Sequence, residues 1–260
     1  MNLESKLLRG IGLLVILCIG LKTNDAIAQS KSTRKPVVVF VHGAWGGAWQ
    51  FRKVDSLLTE KGYLVYRPTL TGLGERAHLA STEIGLKTHI LDVVNTILYE
   101  GLHDIVLVGH SYGGMVVTGV ADSIPERISR MIYLDAFSPN NGESLFDLLG
   151  PAGDAMRQRA INGFIAPWWV KPGKLPPLDV PHPVRTLTDR LSLTNPARLT
   201  IPTTYILTVE KGKEAKDDGF ASQAERARQR GWPVLQLEAD NNPQWFTPKT
   251  LVAMMEGIMK

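Results

Sequence analysis

The sequence predicts an α/β fold with a mostly parallel sheet of about six strands and helices on both faces. Short apolar runs rich in β-branched residues alternate along the chain with longer segments whose apolar residues recur at helical spacing. Strands that alternate with helices form parallel sheets through right-handed crossovers, and binding sites lie at the carboxyl ends of such strands. The chain has 260 residues and is 44% hydrophobic, which is enough for one domain with a large core.

The individual elements follow from these runs. Strands are predicted at residues 36–41, 63–66, 105–108, 131–134, 204–208 and 234–237. A helix over about residues 49–61 should end at Gly62, because glycine readily adopts the left-handed conformation that closes a helix. Residues 86–98 form an amphipathic helical pattern, and a further helix should follow Ser111.

Ser111 lies in a Gly-x-Ser-x-Gly segment, Gly109-His110-Ser111-Tyr112-Gly113, between the third predicted strand and its helix. Only a sharp turn fits between these elements, which is the setting of a nucleophile elbow. Ser111 should then occupy strained backbone, and a Cβ at Gly109 or Gly113 would collide with the neighbouring strand and helix. The five-residue pattern also arises by chance, but its position between a strand and a helix favours a nucleophile.

A serine nucleophile needs a base, an acid that orients the base, and donors for the oxyanion. The backbone N–H of Tyr112, directly after the serine, and that of Ala44, at the end of the first strand, are the predicted oxyanion donors. His42 and His110 flank the site, and we expect both to be structural, since each is fixed in a turn that points away from the serine hydroxyl.

The first 28 residues have the pattern of a secretory signal peptide. Lys6 and Arg9 precede an apolar run over residues 11–21, and Ala26-Ile27-Ala28 forms a cleavage motif. The run is too short for a membrane-spanning helix, so a retained anchor is the weaker alternative. We therefore expect an exported protein, periplasmic or secreted, without a stable membrane anchor after cleavage. Its only cysteine, Cys18, lies within the run.

The mature chain should comprise a flexible leader at residues 29–35 and one domain at residues 36–260. Residues 138–202 interrupt the strand and helix alternation with frequent proline and glycine, which predicts a cap above the elbow or else an irregular surface loop. The adjacent Trp168 and Trp169 favour a cap, because two indoles are costly to leave in water. With Trp45, Tyr112 and Phe137 they suggest an apolar pocket, although each is equally compatible with core packing.

Several functional classes are disfavoured by the sequence. The net charge of +4 is spread along the chain without a basic stripe, so we expect no nucleic-acid partner. No spacing of ligand residues predicts a metal site, and no glycine-rich phosphate or dinucleotide motif predicts a cofactor. His78, His89 and His103 lie on connections or helix faces and are expected at the surface.

The chain resembles the α/β-hydrolase superfamily, and within it the small capped carboxylesterases that include plant methyl-ester hydrolases, hydroxynitrile lyases and bacterial pyrethroid-type esterases. The resemblance covers most of the mature chain. It rests on residues 42–45 with Trp49 and on residues 68–74, 109–114, 133–137, 205–208 and 238–248.

This resemblance implies the two remaining members of a catalytic triad. Family chains place the acid after the strand that corresponds to residues 204–208, which indicates Glu210, with Asp135 as the reserve. They place the histidine after the last strand, seven residues before a proline. Counting back from Pro248 puts Asn241 at that position, and no histidine follows His182.

An asparagine amide cannot take a proton from serine, so the sequence predicts a crippled enzyme. Three explanations stay open: an inactivated esterase, a member that binds without cleaving, or an enzyme that recruits another base such as His182. We expect a small-molecule ester hydrolase scaffold with Ser111 as nucleophile, and a ligand-binding homologue is the alternative. A hydroxynitrile-lyase activity is equally disfavoured, because family lyases also use the histidine.

Overall fold

A six-stranded parallel sheet forms the centre of the computed structural model, which describes residues 35–260. In chain order the strands are β1 (Val37–Val41), β2 (Leu64–Tyr66), β3 (Ile105–Ser111), β4 (Ile128–Ala136), β5 (Phe164–Ile165), β6 (His182–Pro183), β7 (Thr203–Val209) and β8 (Val234–Glu238). The sheet has the order β2-β1-β3-β4-β7-β8, and β5 and β6 form a separate antiparallel pair. The predicted fold class and all six predicted strands are confirmed.

The α-helices connect these strands. They are α1 (Arg52–Glu60), α2 (Leu86–Tyr99), α3 (Gly113–Ser123), α4 (Leu145–Leu149), α5 (Pro151–Arg157), α6 (Arg185–Thr188), α7 (Ala221–Gln229), α8 (Pro243–Phe246) and α9 (Pro248–Ile258). No helix in the described part of the chain is long and apolar enough to cross a membrane.

The sheet is buried on both faces, which explains why its strands are continuous apolar runs. Side chains alternate along β1, so that Val39 and Val41 join the apolar layer with α2, α3 and α7. Val38 and Phe40 point to the other face and join the layer with α1 and α9. Burial of apolar surface contributes about 25 cal/mol per Å², so these two layers dominate the stability of the fold.

The segment at residues 138–202, where we expect a cap, contains α4, α5, β5, β6 and α6. Its contacts converge on Trp45, just beyond the carboxyl end of β1. The Trp45 indole N–H donates to the carbonyl of Ile165 at 2.8 Å, and the Val180 N–H donates to the carbonyl of Trp45 at 2.9 Å. These bonds place the segment at the edge of the sheet where sites of parallel sheets form.

The expected signal peptide at residues 1–28 and residues 29–34 of the leader lie outside the described residues. Lys35 begins the described chain, and its ammonium lies 3.9 Å from the carboxylate of Glu256 and over the ring of Tyr63.

Candidate active site

Ser111 stands at a sharp turn between β3 and α3. Its φ of 51° lies in the left-handed region, where a residue with a side chain is strained. The turn is tight, because a Cβ added to Gly113 would lie 2.5 Å from the carbonyl oxygen of Val41. A Cβ on Gly109 would lie 2.8 Å from the carbonyl of Gly113. The structure therefore has the strained elbow and the two close approaches expected from the sequence.

The loop after β1 lies directly against the serine. A Cβ added to Gly43 would be 3.3 Å from the Cβ of Ser111, so Ala44 follows at the same edge of the site. No atom within residues 35–260 accepts a hydrogen bond from the N–H of Ala44 or of Tyr112. Two free backbone donors beside a strained serine form the arrangement that an oxyanion requires.

Asn241 lies at the opposite side of the site and is held by two hydrogen bonds. Its side-chain amide donates to Oδ2 of Asp135 at 2.7 Å. Its carbonyl accepts from Nε2 of His110 at 2.7 Å. Asn241 is solvent-exposed and Ser111 is half-buried.

The expectation that Glu210 is the acid of the triad is corrected by the structure. Its carboxylate is 52% exposed and forms an ion pair with Lys213 at 2.8 Å. The carboxylate that contacts Asn241 belongs to Asp135, the reserve in the sequence analysis. The reason is geometric: β4 and β7 are neighbours in the sheet, and the side chain of Asp135 reaches across to accept from the backbone N–H of Thr208 at 3.1 Å.

Burial raises the pKa of Asp135 to about 7, and hydrogen bonds from Thr208 and Asn241 oppose the shift only in part. Asp135 is fully buried, and its neighbour Asn241 is neutral at every pH. A buried carboxylate that would face an imidazolium in an intact triad therefore faces an uncharged amide here. Its ionised form lacks the cation that would stabilise it.

His42 and His110, which flank the serine, serve structural roles. Nδ1–H of His42 donates to the carbonyl of Gly43 at 2.8 Å, and Nε2 accepts from the N–H of Leu70 at 3.1 Å. Burial lowers the pKa of His42 and of His110 to about 4, so both rings are neutral at pH 7. They fix the two loops that border the site.

His182 of the cap has both nitrogens engaged. The N–H of Trp45 donates to Nδ1 at 3.0 Å, and Nε2 lies 2.7 Å from the hydroxyl of Thr186. The hydroxyl of Thr186 donates to the carbonyl of Pro183 at 2.8 Å and therefore accepts from Nε2–H. No free lone pair is left on the ring, so this arrangement disfavours His182 as a substitute base.

The prediction that His89 lies at the surface is wrong, whereas His78 and His103 are exposed as expected. His89 is fully buried, and its Nδ1 accepts from the hydroxyl of Tyr112 at 2.8 Å. Its Nε2–H donates to the carbonyl of Thr71 at 2.9 Å. Helical periodicity places His89 on the apolar face of α2, and only the tertiary fold brings Tyr112 to it.

The aromatic residues expected to form the pocket lie in two places. Trp168 and Trp169 pack edge-on against Trp45, with ring centroids at 6.1 and 5.0 Å. They nevertheless stay 54% and 45% exposed, so the cost of leaving indoles in water, on which the expected cap partly rested, is only partly avoided. Phe137 is buried against Phe220 at 5.0 Å, and its N–H donates to the carbonyl of Ser111 at 3.1 Å.

Gln244 is a polar residue beside the site that the sequence analysis missed. It is fully buried, and its Nε2 lies 3.5 Å from Nδ1 of His110 and 3.3 Å from Oδ1 of Asn242. Its Oε1 has no hydrogen-bond partner among the described residues. Its position three residues after Asn241 is the only sequence signal. Residues 35–260 contain no cluster of acidic residues, histidine or cysteine able to hold a metal ion.

Comparison with known proteins gives the family. The sequence model of the alpha/beta hydrolase family matches residues 38–252. This chain belongs to the alpha/beta hydrolase family. The resemblance noted in the sequence is thereby confirmed.

The curated relatives include three esterases. Pheophorbidase of Raphanus sativus is 30% identical over 252 residues, covering 84% of this chain and 91% of the relative. Methylesterase 1 of Arabidopsis thaliana is 30% identical over 211 residues, and the match covers 75% of this chain and 77% of the relative. The carbendazim hydrolyzing esterase of Nocardioides sp. (strain SG-4G) is 53% identical over 129 residues, and the match spans about half of its length (53%) and 49% of this chain.

Solved structures share the architecture. The methylesterase MES16 from Arabidopsis is 25% identical with a TM-score of 0.65, and the match covers 86% of this chain and 98% of that one. An extracellular alpha/beta-hydrolase from a Paenibacillus species has a TM-score of 0.70 at 22% identity, and the match covers 85% of this chain and 98% of that one.

Proposed function

We propose that this protein is a serine carboxylic-ester hydrolase whose activity is impaired because Asn241 occupies the position of the catalytic base. The observation that supports the proposal is the hydrogen bond from the Asn241 amide to Asp135. Asp135 contacts a side chain that cannot act as a base, while the strained serine and its two free backbone donors are in place. The relatives named as esterases support a small-molecule ester as the substrate.

In this mechanism the hydroxyl of Ser111 attacks the acyl carbonyl, and the developing oxyanion accepts from the N–H groups of Ala44 and Tyr112. The serine proton must leave as the new bond forms. A histidine at position 241 would take it through one nitrogen while the other nitrogen donates to Asp135. Loss of the base in a serine triad lowers the rate by roughly 10⁶, or about 8 kcal/mol, and the oxyanion donors retain roughly 10³-fold over water.

A ligand-binding role is the second candidate, and one observation favours it. Asn241 is hydrogen-bonded both through its amide and through its carbonyl, so the site is a satisfied network with asparagine in place. A protein that binds an ester or its acid without cleaving it would retain such a network. Export directed by residues 1–28 remains part of either proposal.

Hydrolysis of p-nitrophenyl acetate tests the proposal with four proteins: the chain itself, Asn241→His, Asn242→His and Asn241→His with Ser111→Ala. We expect Asn241→His to raise the rate by at least about 10³-fold, because it restores a base against Asp135. Asn242→His is the matched control, one position along the same loop, and should give no such gain.

The double variant should lose the gain, because the nucleophile is removed. If Asn241→His changes nothing and the unaltered chain already turns over, with that turnover lost in a Ser111→Ala single variant, the base lies elsewhere and the proposal fails. If Asn241→His stays inactive but binds the ester, the ligand-binding alternative is supported.

A further inference from the structure

A cavity lies away from Ser111 and Asn241, neither of which lines it. Its volume is about 400 Å³, within the range of sites for small ligands. It opens beside the first half of β4, between α3 and the connection from α7 to β8. Its lining includes Ala121, Tyr133, Arg198, Leu199, Arg230 and Trp232.

The floor of this cavity is aromatic and rigid. The rings of Tyr133 and Trp232 stack with centroids 5.1 Å apart and planes 25° apart. The hydroxyl of Tyr133 lies 2.6 Å from that of Thr118, which donates to the carbonyl of Gly114 at 2.7 Å. The Tyr133 hydroxyl therefore donates to Thr118, while the Trp232 indole N–H donates to no atom of the described residues. The Tyr133 ring is buried and the Arg230 guanidinium lies 5.0 Å from the centroid of the Trp232 ring, so an apolar ring entering the cavity would contact the edges of this pair.

Arg230 places a guanidinium at the rim. Its Nη2 donates to the carbonyls of Ser138 and Pro139 at 2.9 and 3.0 Å and to Oδ1 of Asn140 at 2.7 Å. All three acceptors are neutral, and no carboxylate of residues 35–260 forms an ion pair with it. Burial lowers the pKa of Arg230, because the cation is poorly solvated there.

Arg198 adds a second guanidinium to the same rim. Its Nε lies 3.5 Å from Oδ1 of Asp122, and its two terminal nitrogens donate to no atom of the described chain. Arg198 pairs with Asp122, and Glu143 near Arg230 pairs with Arg226, so three guanidinium groups in this region are matched by two carboxylates and the rim carries excess positive charge. A planar guanidinium with free N–H groups matches the geometry of a carboxylate.

We infer that this cavity binds a small organic carboxylate with a flat apolar body, the ring against Tyr133 and Trp232 and the carboxylate between Arg198 and Arg230. An uncharged ligand of the same shape would gain the contact with the aromatic rings but would leave the guanidinium groups without an anion. The site is independent of the catalytic proposal, because it uses neither Ser111 nor Asn241.

The test is a ¹⁹F NMR titration of the full chain with 4-fluorobenzoate, and 4-fluorobenzamide is the neutral probe of the same shape. The benzoate should bind saturably and at least about tenfold more tightly than the benzamide, since only the anion pairs with the guanidinium groups. Equal binding of the two probes would overturn the inference.

Leu199 locates the bound probe. It lines the cavity and is 73% exposed, so charged residues there should not disturb folding. Leu199→Glu should weaken benzoate binding about fivefold and Leu199→Lys should strengthen it, because each adds a charge at the mouth. Leu91→Glu on α2, at a 43% exposed leucine that does not line the cavity, is the matched control and should change nothing. Binding that is insensitive to the charge at position 199 would place the carboxylate elsewhere and refute the assignment.

Discussion

The two sides of the candidate active site differ in how well they match the chemistry of a serine hydrolase. On the nucleophile side, Ser111 is strained at a φ of 51°, and a Cβ added to Gly113 would overlap the neighbouring strand. On the base side, Asp135 is buried against the neutral amide of Asn241, and Glu210 faces solvent. The same fold thus holds a strained turn at Ser111 and, near it, a buried carboxylate that contacts a neutral amide.

The difference shows that the strained backbone at Ser111 does not depend on which side chain occupies position 241. A residue held at positive φ costs on the order of 1–3 kcal/mol and persists only when surrounding packing enforces it. Packing of β3 and α3 enforces the elbow irrespective of the residue at position 241. Under the proposed function the base depends on the single side chain at position 241, so a substitution there would leave the packing of the Ser111 turn unchanged.

The largest expected effect is the loss of kcat when the acid is removed, and it tests whether Asp135 or Glu210 is that acid. In the Asn241→His background, Asp135→Asn should lower kcat for ester hydrolysis by about 10⁴-fold, because the imidazole would lose the carboxylate that orients and stabilises it. Glu210→Gln is the matched control and should leave kcat within about twofold, since a solvated surface charge contributes little. The reverse pattern would restore Glu210 as the acid.

The next effect tests the nucleophile side through stability. Gly113→Ala should lower the free energy of unfolding by at least about 1–3 kcal/mol, because its Cβ would overlap the carbonyl of Val41. Gly257→Ala in α9 meets no atom within 4 Å and should instead raise stability by up to about 1 kcal/mol. Urea unfolding measures both. If the two variants behave alike, the elbow is not as tightly packed as the structure indicates.

The smallest effect is a pH dependence set by buried histidines. Burial lowers the pKa values of His42, His89 and His110 to about 4 from 6.5. Between pH 4 and 6.5 the unfolded chain therefore binds more protons at these sites, and stability falls as pH falls. Asp135, with its pKa raised to about 7 from 3.8, acts in the opposite direction over this range. The histidines outnumber it, so the net slope stays positive.

Replacing one buried histidine should remove its contribution, close to one proton, from the difference in proton binding that sets this slope. His89→Gln should reduce the rise of unfolding free energy by roughly 1 kcal/mol per pH unit, measured by urea unfolding between pH 4.5 and 6. His78→Gln, at an exposed position, should leave the slope unaltered. An identical slope in the His89 variant would contradict the buried, neutral state of the ring under Tyr112.

Local sequence patterns were enough to predict much of the fold of this protein. The six strands, the sharp turn at Ser111 and the lack of any histidine after His182 can all be read from the sequence. They could be predicted because strand and helix periodicity, glycine spacing and residue identity act locally. Membership of the alpha/beta hydrolase family followed from the same segments.

Contacts between distant segments were decided by the tertiary structure alone. Asp135 rather than Glu210 meets Asn241, because neighbouring strand ends converge at one edge of the sheet. His89 is buried because α2 packs where Tyr112 can reach it, 23 residues away in sequence. The cavity lined by Arg198 and Arg230 likewise joins segments that no local pattern relates. Such contacts depend on how elements pack in three dimensions, and residue spacing along the chain carries no direct information about that packing.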